Sequence, residues 1–131
     1  MHFSAIESFA MTLEKPVGAL ARAYLKALGY DDSIIETWTE GTRLLHDLGI
    51  CGDSIVEDLE VLHRKFGVDL TSFNVWAHFP SELSMDALLA LLLPIERYLR
   101  GAAIVRRFDK IYPPVSLRMI EDAIANGRLV D

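Results

Sequence analysis

Cysteine is almost missing from this chain: Cys51 stands alone, so no disulfide can form within it, and its usage suits a reducing compartment. An excess of positive charge is missing too. Thirteen Lys and Arg face nineteen Asp and Glu, a formal net charge of −6, which argues against a uniformly basic nucleic-acid surface, and no nucleic-acid partner is expected. Long apolar runs are absent as well. The longest, Ala87–Leu93, falls far short of the roughly 20 residues a bilayer needs, and Pro94, Glu96 and Arg97 follow it directly, so no membrane span is expected. The first apolar stretch, Phe3–Met11, has no preceding Lys or Arg and is interrupted by Glu7, unlike a secretory signal, so the expected location is cytoplasmic. A Gly-rich phosphate loop, a serine-hydrolase elbow and a paired-carboxylate site are all lacking. His2, His46, His63 and His78 are scattered without metal-ligand spacing. These absences predict no catalytic residues, no metal and no enzymatic activity.

What is present is a 131-residue chain with 51% hydrophobic residues, ample for one core and one domain spanning 1–131. Its charge is divided. Nine acids lie between Asp31 and Glu60 against Arg43 alone, whereas six bases lie between Arg97 and Arg118 against Asp109 alone. Such halves either bind each other inside the fold or steer two different partners.

Helical periodicity dominates. Residues 4–13 carry apolar side chains at helical spacing before Pro16, and Val17–Leu28 has the stripe Val17, Leu20, Ala21, Tyr24, Leu25 and Leu28, with Gly29 at its end. Asp31–Gly41 holds a short turn of helix, and Leu44, Leu45 and Leu48 plug the following loop into the core. Gly52-Asp53-Ser54 reads as a helix start, Asp or Ser accepting a bond from a free first-turn amide. Ile55, Leu59, Leu62 and Phe66 then form one face, acids precede bases as the helix dipole prefers, and Gly67 ends the segment. Ser72–Phe79 suggests a turn or two of helix, and Pro94 kinks or divides the segment from Ala87 to Phe108. After Pro113-Pro114, Ser116 caps Leu117–Ala125 and Asn126-Gly127 closes it. No segment alternates as a strand does.

The stretch from Leu45 to Ser54 draws these elements together. Asp47-Leu48-Gly49, then Asp53-Ser54-Ile55, an acidic helix, Phe66 and an aliphatic Leu70 resemble the acyl carrier protein pattern over about Thr42–Leu70. More narrowly, Gly49-Ile50-Cys51-Gly52-Asp53, Phe66–Asp69 and Phe79-Pro80-Ser81-Glu82 resemble an uncharacterised enterobacterial family of carrier-protein relatives. The resemblance implies an all-α, acyl-carrier-protein-like helical bundle with additional C-terminal helical segments. Its carrier-like part spans about 17–83 and its extension about 84–131. It also implies a 4'-phosphopantetheine arm on Ser54, beside Asp53, and docking of Glu57, Asp58 and Glu60 on the basic surface of a partner enzyme.

One spacing departs from the family. Ser54 stands twelve residues before Phe66, whereas the family's serine stands about fourteen before its phenylalanine, and two residues are about 200° of helix rotation. A gapless alignment from Gly49 places Gly52 at the serine position. Ser54 therefore has two readings, a modified serine or plain helix-start chemistry, and an unmodified carrier-fold interaction protein is the alternative function. The three acids have two as well, a docking face or a solvated one. A thiol at a helix start acquires a lowered pKa, and His46 lies five residues before Cys51, yet no third orienting group supports a catalytic pair, and an inert half-buried thiol is the plainer expectation. Trp38, Trp76 and Phe79 are expected to pack in the core, and self-association is expected to use the Ala87–Leu93 surface.

Overall fold

Among the described residues, two helices, Ala19–Ala27 (α1) and Leu117–Asn126 (α6), form the main helix pair although most of the chain separates them. The computed structural model describes residues 15–81 and 103–131; for 103–106 it describes the backbone alone. Between the pair lie α2 (Asp32–Ile35), α3 (Gly52–Phe66), α4 (Val75–His78) and α5 (Ala103–Ile111), so the described chain is all-α. The helix expected over residues 4–13 and the Ala87–Leu93 run with its Pro94 kink lie outside the described residues. Among the described residues no helix is long and apolar enough to cross a membrane.

Local chemistry accounts for the two strongest helices. In α3, Ile55, Leu59 and Leu62 are buried on one face, each contributing roughly 1.5–3 kcal/mol. Asp53 lies in the first turn and His63, Arg64 and Lys65 in the last, complementing the backbone dipole. Gly67 terminates it at φ 69°, a left-handed conformation that costs a residue with a Cβ about 1 kcal/mol. In α6 the Ser116 hydroxyl accepts from the Met119 N–H at 3.3 Å, and Leu117, Ile120 and Ala123 turn inward.

Helix α1 is capped from outside its own segment. Gly18 offers no side chain, and the Glu121 carboxylate on α6 accepts from the Ala21 N–H at 2.7 Å, tying the start of one helix to the body of the other. A methyl group at Gly18 would collide with that carboxylate. The buried face is Val17, Ala21, Tyr24 and Leu25. Leu20, expected in the stripe, is 38% exposed, because at about 100° per residue it falls on the shoulder of that face.

Three isolated β-bridges, none of them legible as a strand, hold the loops: Pro16 with Thr39, Arg43 with Ser116 and Asp69 with Arg128. The Leu44 N–H donates to the Val115 carbonyl at 2.9 Å, and the Leu117 and Arg118 N–H groups donate to Thr42 and Glu40 at 2.8 Å. Asp69 exchanges bonds with Gly127 and Leu129 in the same manner. One core cluster therefore includes Tyr24, Leu45, Ile55 and Phe79 together with Phe108, Leu117 and Ile120.

The acidic and basic segments touch at two ion pairs. Arg118 of the basic group approaches Glu40 of the acidic group at 3.5 Å, and the two minority charges, Arg43 and Asp109, pair at 3.1 Å. Of the large aromatics, Phe79 is buried and Trp38 half-buried, but Trp76 is 46% exposed on the one-turn helix α4, contrary to its expected place in the core. A four-residue helix buries only one side, and His78 takes it.

Candidate functional site

Helix α3 begins in a way its sequence did not reveal. Cys51 is the N-cap, fully extended and without a side-chain cap bond, so neither Asp53 nor Ser54 has the capping role expected of it. Gly52 then turns the chain at φ 61°, and its N–H donates to the Pro80 carbonyl at 3.2 Å. Gly52 is buried, which directs Asp53 and Ser54 outward as the second and third residues of the helix, both exposed. Ile55 immediately follows as the anchor, with no exposed surface.

The three acids expected to dock a partner differ from one another. Glu57 is exposed, one turn beyond Ser54 on the same side of the helix. Glu60 is exposed and paired with Arg64 at 2.8 Å, both side chains about 60% accessible, which contributes only a few tenths of a kcal/mol. Asp58 is half-buried beside Tyr24 and Tyr30. Burial, reinforced by Glu57, pushes its carboxyl up to about 6, and burial with the facing Asp58 charge raises both phenols. At neutral pH and just below it, Asp58 is thus a titrating member of the acidic face.

The sign of that shift gives a pH prediction. A carboxyl held at about 6 in the folded state against 3.8 when free contributes stability below about pH 4 that is lost as pH rises through 6. Asp58→Asn should therefore be more stable than the wild type above pH 6, by about 1 kcal/mol after allowance for solvent screening, with no difference near pH 4. Urea midpoints measured across that range check it, and a variant less stable at pH 7 would contradict it.

Cys51 and His46 do not meet as a catalytic pair. Burial raises the Cys51 thiol rather than lowering it. The His46 ring is completely buried, packs edge-on to Phe108 with centroids 6.4 Å apart, and donates from Nε2 to the Tyr112 carbonyl at 3.0 Å. Its Nδ1 has no hydrogen-bond partner among the described residues. Burial, the largest cause, holds the imidazole below its ordinary pKa and so favours the neutral ring. Among the described residues no three His, Cys, Asp or Glu side chains gather as metal ligands.

A second feature was not anticipated. A cavity of about 350 Å³ opens between the turn after α2 and the loop at Arg43–Leu48. Thr37, Thr39, Thr42, Arg43 and Asp47 supply its polar lining, Trp38 and Leu48 its apolar one. Three threonines within six residues around Gly41 were its sequence signal, yet threonine spacing alone does not distinguish a lined cavity from an exposed turn. Compared with protein-family models, with curated proteins and with solved structures, the chain matches none.

Proposed function

We propose that the chain is a non-enzymatic, acyl-carrier-protein-like protein of the cytoplasm. It presents the acidic face of α3 to a basic surface on a partner enzyme, with Ser54 as the attachment point for 4'-phosphopantetheine. The observation that carries this reading is the exposure of Ser54 on the first turn of a 15-residue helix, with Glu57 following on the same side. A phosphodiester at that hydroxyl would lie beside free first-turn N–H groups and the positive end of the helix dipole, which favour negative charge. Asp53 is positioned next to it, outside the core. The prosthetic group would supply a thiol for acyl chemistry, while the protein supplies the attachment oxygen and the docking charges.

An unmodified interaction protein with a carrier-like fold is the second reading, and Gly52 favours it. Fourteen residues before Phe66, where the resembling family carries its serine, stands this buried glycine with its N–H engaged by Pro80. Helix α3 runs unbroken from Gly52 to Phe66, so no bulge inside it restores the missing two residues. The acidic face would then dock without an arm.

Incubation with coenzyme A and a broad-specificity phosphopantetheinyl transferase, followed by intact mass measurement, separates the two. The first reading expects one added arm on the wild type and none on Ser54→Ala. No arm on the wild type leaves the unmodified reading standing, and an arm that survives Ser54→Ala moves the attachment to another residue.

A further inference from the structure

The cavity beside Arg43 is independent of the Ser54 reading, and its lining specifies a chemistry. The Thr39 hydroxyl accepts from the Gly41 N–H at 3.3 Å and the Thr42 hydroxyl from the Thr39 N–H at 3.0 Å. Each oxygen is thereby engaged as an acceptor, and each hydroxyl proton is left to donate. The Trp38 indole N–H has no acceptor among the described residues and adds a third donor. Arg43 uses Nε and Nη2 on Asp47 and Nη1 on Asp109, at 3.0–3.1 Å, which leaves one N–H on each terminal nitrogen. Beside these donors, Thr39 and Thr42 each keep a second lone pair and Thr37, whose hydroxyl donates to the Ile34 carbonyl at 2.6 Å, keeps its own, so the lining both donates and accepts.

Charge excludes the simplest donor-seeking ligand. The Arg43 guanidinium is already balanced by Asp47, whose two oxygens both accept from it, and Asp109 adds a further negative charge. A free anion therefore meets two carboxylates beside the guanidinium. An uncharged ligand rich in acceptor oxygens is left, and Trp38 and Leu48 offer apolar surface for its carbon skeleton. Polyols have this character, because every hydroxyl carries two lone pairs for one proton. The volume, about 350 Å³, lies at the lower end of the range of about 300–1,000 Å³ that suits small ligands.

We propose that the Thr37–Leu48 cavity binds an uncharged polyhydroxylated molecule, with Thr39, Thr42 and Arg43 donating to its oxygens and Trp38 packing on its carbons. A Trp76→Phe background, which replaces an exposed indole, makes Trp38 the sole tryptophan and its emission the reporter. Methyl glucoside tests a sugar ring, sorbitol an open chain, and acetate and inorganic phosphate test anions. The expected result is a saturable change in emission with methyl glucoside or sorbitol, the tighter of the two showing whether the site takes a ring or a chain. Thr39→Val should weaken it about fivefold, the loss of one hydrogen bond, and Thr42→Val repeats the measurement at the second hydroxyl. The melting temperature of each variant shows that it is folded. No response to either polyol, equal affinity in both folded variants, or saturation by acetate or phosphate in place of the polyols overturns the proposal.

Discussion

Tyr24→Ala should lower the free energy of unfolding by about 4 kcal/mol, the cost of emptying a buried aromatic site. Tyr24 has no exposed surface, and its ring packs edge-on against Phe66 with centroids 5.8 Å apart. Its hydroxyl donates to the Asp58 backbone carbonyl at 2.6 Å. One side chain on α1 thus holds both the middle and the end of α3. Tyr24→Phe keeps the ring and removes only the hydroxyl, so its expected cost is about 1 kcal/mol. Domains have total stabilities of about 5–15 kcal/mol, and the alanine variant should stand close to the unfolding threshold at 25 °C. Urea denaturation of both variants gives the comparison. Near-equal losses would show that the hydroxyl, and not the ring, is the clamp.

His78→Ala should cost about 3 kcal/mol, because the ring it removes joins three parts of the chain. The imidazole stacks on Phe73 with centroids 4.8 Å apart and an interplanar angle of 19°. Nδ1 lies 2.9 Å from the Pro113 carbonyl and Nε2 lies 3.1 Å from the Asp131 carboxylate. The same carboxylate oxygen accepts from the Asn74 N–H at 2.9 Å. Asp131→Ala alone should cost about 1 kcal/mol, and the double variant should lose less than the sum, since the two residues share one bond. Strict additivity in unfolding measurements would contradict the clasp.

Much of this architecture was legible, and the reason is periodicity. Helices α1, α3 and α6 carry apolar stripes wide enough to be counted, and Gly67, Ser116 and Gly127 mark their ends with residues chosen by backbone conformation or hydrogen bonding. Ser54, Glu57 and Glu60 could likewise be placed on an exposed helix face from spacing alone. What escaped the sequence depends on distant partners. Backbone pairing of Thr42 and Leu44 with Val115 and Leu117 leaves no side-chain pattern, so residues 84–131 read as an appendage although Val115, Leu117 and Ile120 lie in the same core as Tyr24. Cys51 displaced Asp53 and Ser54 from the cap because Gly52 bends the chain one residue earlier than the polar residues suggest. Asp58 carries the same formal charge as its neighbours, and burial in the fold, reinforced by Glu57, sets it apart.

The bonds between residues 40–44 and 115–118 also govern when the molecule can assemble. Contacts so distant along the chain must close a large loop before they return any stabilisation, which slows folding relative to a bundle of neighbouring helices. During synthesis, α1 and α3 emerge from the ribosome long before α6, and Glu121, the outside cap of α1, is not yet made. Until it arrives, the inner face of α1 has α3 against Tyr24 but lacks its main helical neighbour. The interval before α6 is made is therefore the one in which this segment is most exposed to misassembly, and the arrival of α6 ends it.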